Sequence, residues 1–250
     1  MTSKTRFAAV AVALAVLPVH AAESTDPSKY AQPVDFSSTR SSADKANPPH
    51  ENSEWLTMFA SDVNKHDLPH VIFIGDSICG NYYPIVQEAL KGKAYTCGMR
   101  GSACVGDPTL DYQLRMMLER FDYDIIHINN GLHGFTTPDD KYEVELEKHL
   151  RLVQKLAPKA KVIWATTTPF RNHQKMEEFH SDIKRVIARN EASLRVCKKL
   201  GITRIDDLWA HAKDHPEWMG ADGVHFKHPE GRQALAQSVI KSVEAALAEK

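Results

Sequence analysis

The sequence predicts an α/β domain whose parallel sheet of about five strands carries helices on both faces. Two observations carry that expectation. Short β-rich apolar runs each stop at a Gly, Asn, Thr or Asp, and most of the segments between them place apolar residues every three or four positions. Strands that alternate with helices in this way build right-handed βαβ units, hence a parallel sheet. The composition agrees, since 250 residues with 42% hydrophobic and 25% charged content make an ordinary globular chain.

The first 21 residues hold Lys4 and Arg6, an apolar run from Phe7 to Val16, and Val19-His20-Ala21 with small residues where a signal peptidase reads. This is the pattern of a cleaved secretory signal ending near Ala21, so a secreted or periplasmic location is expected. The apolar run is shorter than the roughly 20 residues a bilayer span needs, so no stable membrane anchor is expected. Residues 22–52 are rich in Ser, Thr, Pro, Asp and Lys without apolar period and read as a flexible leader. The folded domain is expected over 53–250.

Val71-Ile72-Phe73-Ile74, ending at Gly75, reads as the first buried parallel strand. Lys93-Ala94-Tyr95-Thr96 is a weaker second strand. Leu110, Leu114, Met117 and Leu118 mark a helix, and residues 123–128 a third strand that ends at Asn129. The helix through Leu146, Leu150 and Val153 is opened by Thr137-Pro138-Asp139-Asp140, with Thr as cap and Pro in the first turn. Residues 161–165 form a fourth strand that runs into Thr166-Thr167-Thr168. A helix follows through Phe179, Ile183, Val186, Ile187, Asn190 and Leu194, then a strand over 202–205 ending at Asp206. The last helix uses Leu235, Val239, Ile240 and Val243 after Pro229.

Composition excludes several classes of function. A net charge of −1 gives no electrostatic footprint for nucleic acid. Four Cys cannot staple a chain of this length, and no Cys/His spacing suggests a zinc cluster, so no metal is expected. Cys197 lies on an apolar helix face and reads as a buried thiol. Cys97 and Cys104 bracket a glycine loop and are a plausible bridge, with Cys79 as the competing partner.

Ligands of open α/β sheets bind beyond the carboxyl ends of the strands, which is where the chemistry should lie. Gly75-Asp76-Ser77-Ile78 stands at the first such end. A Ser at a strand-to-helix junction presents its hydroxyl at the sheet edge and its N–H among the open donors of a helix start. Near the other end of the chain, Asp222-Gly223-Val224-His225 can fold so that the carboxylate holds one imidazole nitrogen while the other faces outward. Cys79 is a rival nucleophile, though nothing adjacent marks it as a reactive thiol. Thr166, Thr167 and Thr168 could line a pocket for a polyhydroxylated substrate, whereas Arg171 and His173 read as a solvated loop.

Together, the Gly-Asp-Ser and Asp-x-x-His blocks resemble the SGNH, or GDSL-like, hydrolase superfamily over roughly residues 70–248. The resemblance implies a three-layer α/β/α, flavodoxin-like domain with Ser77 as nucleophile, His225 as base and Asp222 as its orienting acid, and no cofactor. It also implies an oxyanion hole from the Ser77 N–H, a glycine after the second strand and an Asn after the third. Gly101 and Gly106 both fit the glycine, with Gly101 closer to the strand end. In Asn129-Asn130-Gly131-Leu132-His133-Gly134, His133 falls at the family's Asn position, and Asn129 is the alternative donor; Asn130 reads as a turn residue. The activity implied is hydrolysis of a small acyl ester, acetyl among the candidates, on a carbohydrate or related small molecule. A lipase, a thioesterase or an idle glycan-binding module of the same fold are the alternatives.

Overall fold

The computed structural model describes residues 51–249. The expected signal and nearly all of the expected leader lie outside the described residues. The strands are β1 (Leu56–Phe59), β2 (His70–Gly75), β3 (Tyr95–Gly101), β4 (Ile125–Ile128), β5 (Lys161–Ala165), β6 (Arg171–Asn172), β7 (Lys175–Phe179) and β8 (Arg204–Asp206). The helices are α1 (Ser77–Ala89), α2 (Pro108–Leu118), α3 (Asp139–Leu156), α4 (Ile183–Leu200), α5 (Leu208–Ala212) and α6 (Pro229–Ala248).

The main sheet runs in the order β1-β3-β2-β4-β5-β8. Every neighbouring pair from β3 to β8 is parallel, which makes the five expected strands, and β1 is added antiparallel to the β3 edge. Numbered along the chain, the parallel strands run 2-1-3-4-5, the flavodoxin-like order, and the chain reverses direction across the sheet between β2 and β4. Alternation along the strands divides the core. Ile72, Ile74, Ile126, Ile128 and Trp164 pack with Leu114 of α2, Leu146 and Leu150 of α3 and Val196 of α4. Val71, Phe73, Ile163 and Ala165 pack with Tyr82 and Val86 of α1 and Val239 and Val243 of α6. Two apolar layers, one on each face, are what a sheet buried on both sides requires.

The structure departs from the sequence expectations at several edges. β3 continues past Thr96 through two glycines to Gly101, because Gly98 leaves room for Phe59 of β1, whose ring would lie 2.5 Å from a Cβ there. Phe179 belongs to β7, in a hairpin with β6, and the helix begins only at Ile183. Pro138, rather than Thr137, is the N-cap of α3, with no side-chain cap bond. No disulfide joins Cys97 to Cys104 or Cys79; all four cysteines are buried thiols. Among the described residues no helix is long and apolar enough to cross a membrane.

Candidate active site

Three segments meet beyond the carboxyl end of β2. The first is the junction of β2 and α1. Gly75 permits the tight entry, since a Cβ there would lie 2.9 Å from that of Cys79. Asp76 caps α1, its Oδ1 accepting the Ile78 N–H at 2.8 Å, and Ser77 is the first helical residue. The Ser77 N–H is therefore in the first turn, whose amides have no partner within the helix.

The second segment is the 220–226 loop that precedes α6. Gly223 sits at φ +72°, and a Cβ there would lie 2.4 Å from the Arg171 carbonyl, so only glycine fits on both counts. Arg171 donates its N–H to the Gly223 carbonyl at 2.8 Å, and Asn81 of α1 accepts the Phe226 N–H at 2.8 Å. These ties deliver His225 to the nucleophile. Its Nε2 lies 2.9 Å from Ser77 Oγ, and its Nδ1 lies 3.2 Å from Asp222 Oδ2. Asp222 Oδ1 accepts the N–H groups of Val224 and His225 at 3.0 and 2.9 Å, and Lys227 Nζ approaches Oδ2 to 2.7 Å. Burial alone would raise the Asp222 carboxyl, but the bonds from Lys227, from the two backbone amides and from the His225 ring hold it well below the usual carboxylate range.

The third segment is the loop after β4. Arg189 of α4, 2% exposed, reaches beneath it and donates to the carbonyls of Gly131, His133 and Gly134 at 2.8 to 2.9 Å. Its guanidinium also stacks over the rings of Phe135 and Tyr142. Asn130 is buried and pins the loop after β3, accepting from the Val105 N–H and donating to the Ala103 carbonyl, so it ties two loops together rather than making a turn. Gly131 lies against Thr167, whose Oγ1 would be 1.9 Å from a Cβ.

The four expected oxyanion contributors separate on this geometry. Asn129 spends its amide on the end of β5, donating to the Ala165 carbonyl at 2.7 Å and approaching Thr167 Oγ1 at 3.4 Å, so it has no hydrogen to turn toward Ser77. Gly106 donates its N–H to His149 Nε2 at 3.0 Å, which removes it as the alternative to Gly101. Ser102 donates its N–H to the Trp55 carbonyl of the incoming chain, and amides alternate along a strand, so the Gly101 N–H faces β2, where the register of Gly75 against Arg100 sets it on the Gly75 carbonyl rather than toward Ser77. His133 lines the cavity over Ser77, with its Nδ1 at 3.4 Å from Glu51 Oε1.

That cavity has a volume of about 380 Å³. Ser77, His225, His133 and Glu51 supply its polar side chains, and Trp55, Leu132, Phe135, Phe170 and Val224 its walls. Thr166, Thr167 and Thr168 are buried away from it: Thr166 bonds Asp207, and Thr167 is held through its backbone by Asn190. Arg171 is buried under Phe179 rather than solvated, and its side chain bonds the carbonyls of Glu177 and Lys213. Cys79 lies on the buried face of α1, and burial pushes its thiol up to about 12, which leaves no thiolate to compete with Ser77.

Sequence reasoning missed Asn81, Arg189, Lys227 and the pair Glu51 and Trp55, and placed Arg171 in solvent. Asn81 alone left a signal, lying four residues after Ser77 and so on the same helix face.

No family model and no curated protein matches the chain. Solved structures do. An acetylxylan esterase from Geobacillus stearothermophilus superposes with a TM-score of 0.55 at 16% identity, over 73% of this chain and 95% of that one. A protein from Slackia heliotrinireducens assigned to the SGNH hydrolases gives 0.54 at 19%, over 71% of this chain and 100% of that one. A Parabacteroides merdae protein assigned to the GDSL-like lipases gives 0.53 at 19%, over 72% and 97%. The fold is that of the SGNH hydrolases.

Proposed function

We propose that the protein is a serine esterase that hydrolyses a small acyl ester, with Ser77 as nucleophile, His225 as base and Asp222 as its orienting acid. The observation that carries this reading is the unbroken chain of contacts from Ser77 Oγ through both nitrogens of His225 to Asp222 Oδ2. Ser77 Oγ attacks the ester carbonyl while His225 Nε2 takes its proton; the tetrahedral intermediate collapses as the imidazolium protonates the leaving alkoxide. Water then repeats the sequence on the acyl-enzyme. The Ser77 N–H, open in the first turn of α1, holds the oxyanion. The 380 Å³ cavity suits a short acyl group and one alcohol unit, and the acetylxylan esterase among the structural neighbours supports acetyl as the acyl part. Lys4, Arg6 and the apolar run behind them support export with cleavage near Ala21.

A fluorophosphonate probe should label Ser77 in the wild type, and p-nitrophenyl acetate should be turned over faster than its longer-chain homologues. Ser77→Ala and His225→Ala should each lower kcat by several powers of ten, and the double variant should be no worse than either. Near-additive losses would remove the triad assignment. A wild type that neither labels nor turns over ester is a binding module on an SGNH scaffold.

A further inference from the structure

The segment just before β1 crosses the mouth of the site. Trp55 donates its N–H to Ser102 Oγ at 2.9 Å and accepts the Ser102 N–H at 3.1 Å, while Ser102 Oγ donates to Glu54 Oε2. Four residues before Trp55, Glu51 Oε1 accepts the Gly134 N–H at 3.0 Å. Ser102 follows β3 and Gly134 follows β4, and in the sheet β2 lies between those two strands. Residues 51–55 therefore form a strap pinned on either side of Ser77, which stands at the end of β2. The end of β3 is shaped to admit it: a Cβ on Gly101 would lie 2.9 Å from the Trp55 carbonyl, so a side chain there would push the strap off.

The two ends of the cavity differ in what the proton on His225 does. His225 Nε2 gives that proton to the leaving oxygen, so the alcohol departs on the His225 side, where Val224 and Phe170 form the wall. Phe170 follows β5, on the far side of β2 from β3, and precedes Arg171, whose N–H holds the 220–226 loop. The acyl substituent points the other way, toward the β3 side and the Trp55 indole. That indole is 38% exposed, a large apolar surface beside the nucleophile with solvent behind it.

We propose that Trp55 sets the acyl-chain length that the site accepts, with the 51–55 strap as the end wall of the acyl side. The proposal rests on the serine esterase reading and names what limits its acyl group. An acetyl group ends short of the indole, whereas a longer chain runs into it. Ser102 and Gly134 hold the strap at both ends, so the ring cannot swing aside, and only a smaller residue at 55 lets the chain pass out to solvent.

The test compares kcat/KM on two pairs of esters. p-Nitrophenyl acetate and p-nitrophenyl hexanoate vary the acyl group; ethyl acetate and hexyl acetate vary the alcohol. The wild type should prefer the acetate to the hexanoate by about tenfold or more, since one methylene too many in a closed apolar pocket already costs about that much. In Trp55→Ala that preference should fall to about threefold or less through gain on the hexanoate, while the ratio of ethyl to hexyl acetate stays where it was. Trp55→Phe, which keeps an aromatic wall, should retain most of the preference. Fluorophosphonate labelling of Ser77 reports that each variant keeps its site; if Trp55→Ala does not label, Trp55→Leu carries the same comparison. A variant that labels and keeps the full acyl preference overturns the proposal. A change confined to the alkyl acetates also overturns it, by placing the indole beside the alcohol. A wild type that labels yet takes the hexanoate as readily as the acetate overturns this inference and leaves the triad standing. One that neither labels nor turns over any of the four esters overturns the hydrolase reading beneath it as well.

Discussion

Asp222 meets both the His225 ring and the Lys227 ammonium through one oxygen. Its Oδ2 meets the His225 ring at 3.2 Å and the Lys227 ammonium at 2.7 Å, and its carboxyl is held well below the usual range. A depressed carboxylate stays ionised above its unfolded value and loses its charge only as pH falls through the folded one, so Asp222 remains charged throughout any ordinary assay. On the proposed mechanism that charge is what orients the His225 ring toward Ser77. The bond from Lys227 is the largest of the contributions that hold the Asp222 carboxyl down, so removing it lets that carboxyl rise toward its usual range. In Lys227→Met the acid limb of kcat/KM should therefore begin at higher pH than in the wild type, and the difference should shrink at high salt because Lys227 is exposed. An unmoved limb at low ionic strength would show that Lys227 does not influence the base. At this scale the sequence was readable where chemistry needs a residue type at a fixed spacing, as in Ser77 and the pair Asp222 and His225. It misled where the decision lay in a distant partner: Asn129 stands at the correct strand end but answers to the Ala165 carbonyl, a contact 36 residues away.

The elements that aim the site are helices acting through buried polar side chains. α4 does this twice, with Arg189 under the 131–134 loop and Asn190 holding both backbone polar groups of Thr167 at 2.8 and 2.9 Å. Both residues sat within an apolar helical period, and Asn190 was itself counted as part of that period. An arginine in a helix reads from sequence as a solvated residue, because nothing local announces three carbonyls waiting in another loop. Replacing Arg189 by Met leaves those carbonyls unpaired in a buried place. That should cost about 2–4 kcal/mol and lower Tm by roughly 5–15 °C, measured by calorimetry or thermal circular dichroism. A change within about 2 °C would mean that the loop finds other partners. The short strands were hidden for a related reason. β1 has four residues and no β-branched run, and it pairs because the β3 edge offers an open ladder, while the β6–β7 hairpin is mostly exposed and polar and reads as loop.

For the whole molecule, the sequence foresaw the layers better than their rims. Buried parallel strands announce themselves as continuous apolar runs, and the helices facing them by their period, so the five-stranded sheet and its two faces were legible. What the pattern could not supply was the closure of each edge. Cysteine placement illustrates this: Cys97 and Cys104 are close in sequence, but Cys97 sits within β3 and Cys104 packs against Gly134 on the loop after β4. Burial raises all four thiols, those of Cys79, Cys104 and Cys197 to about 12. A thiol reagent at neutral pH should thus find none of the four quickly reactive in the native protein and all four after denaturation. Fewer than four after denaturation would mean that a bridge forms despite this arrangement.

The two halves of the Ser77 and His225 contact are separated by 148 residues, and the second half arrives with the loop that leads into the last helix. A chain emerging from the ribosome can complete β2 and α1, with Ser77 in place, long before its base exists. Ser77 has no imidazole partner until α6 docks against α1 and the Phe226 amide finds Asn81. The Ser77–His225 contact is therefore among the last that the growing chain can make, and a polypeptide shortened before the 220–226 loop cannot make it.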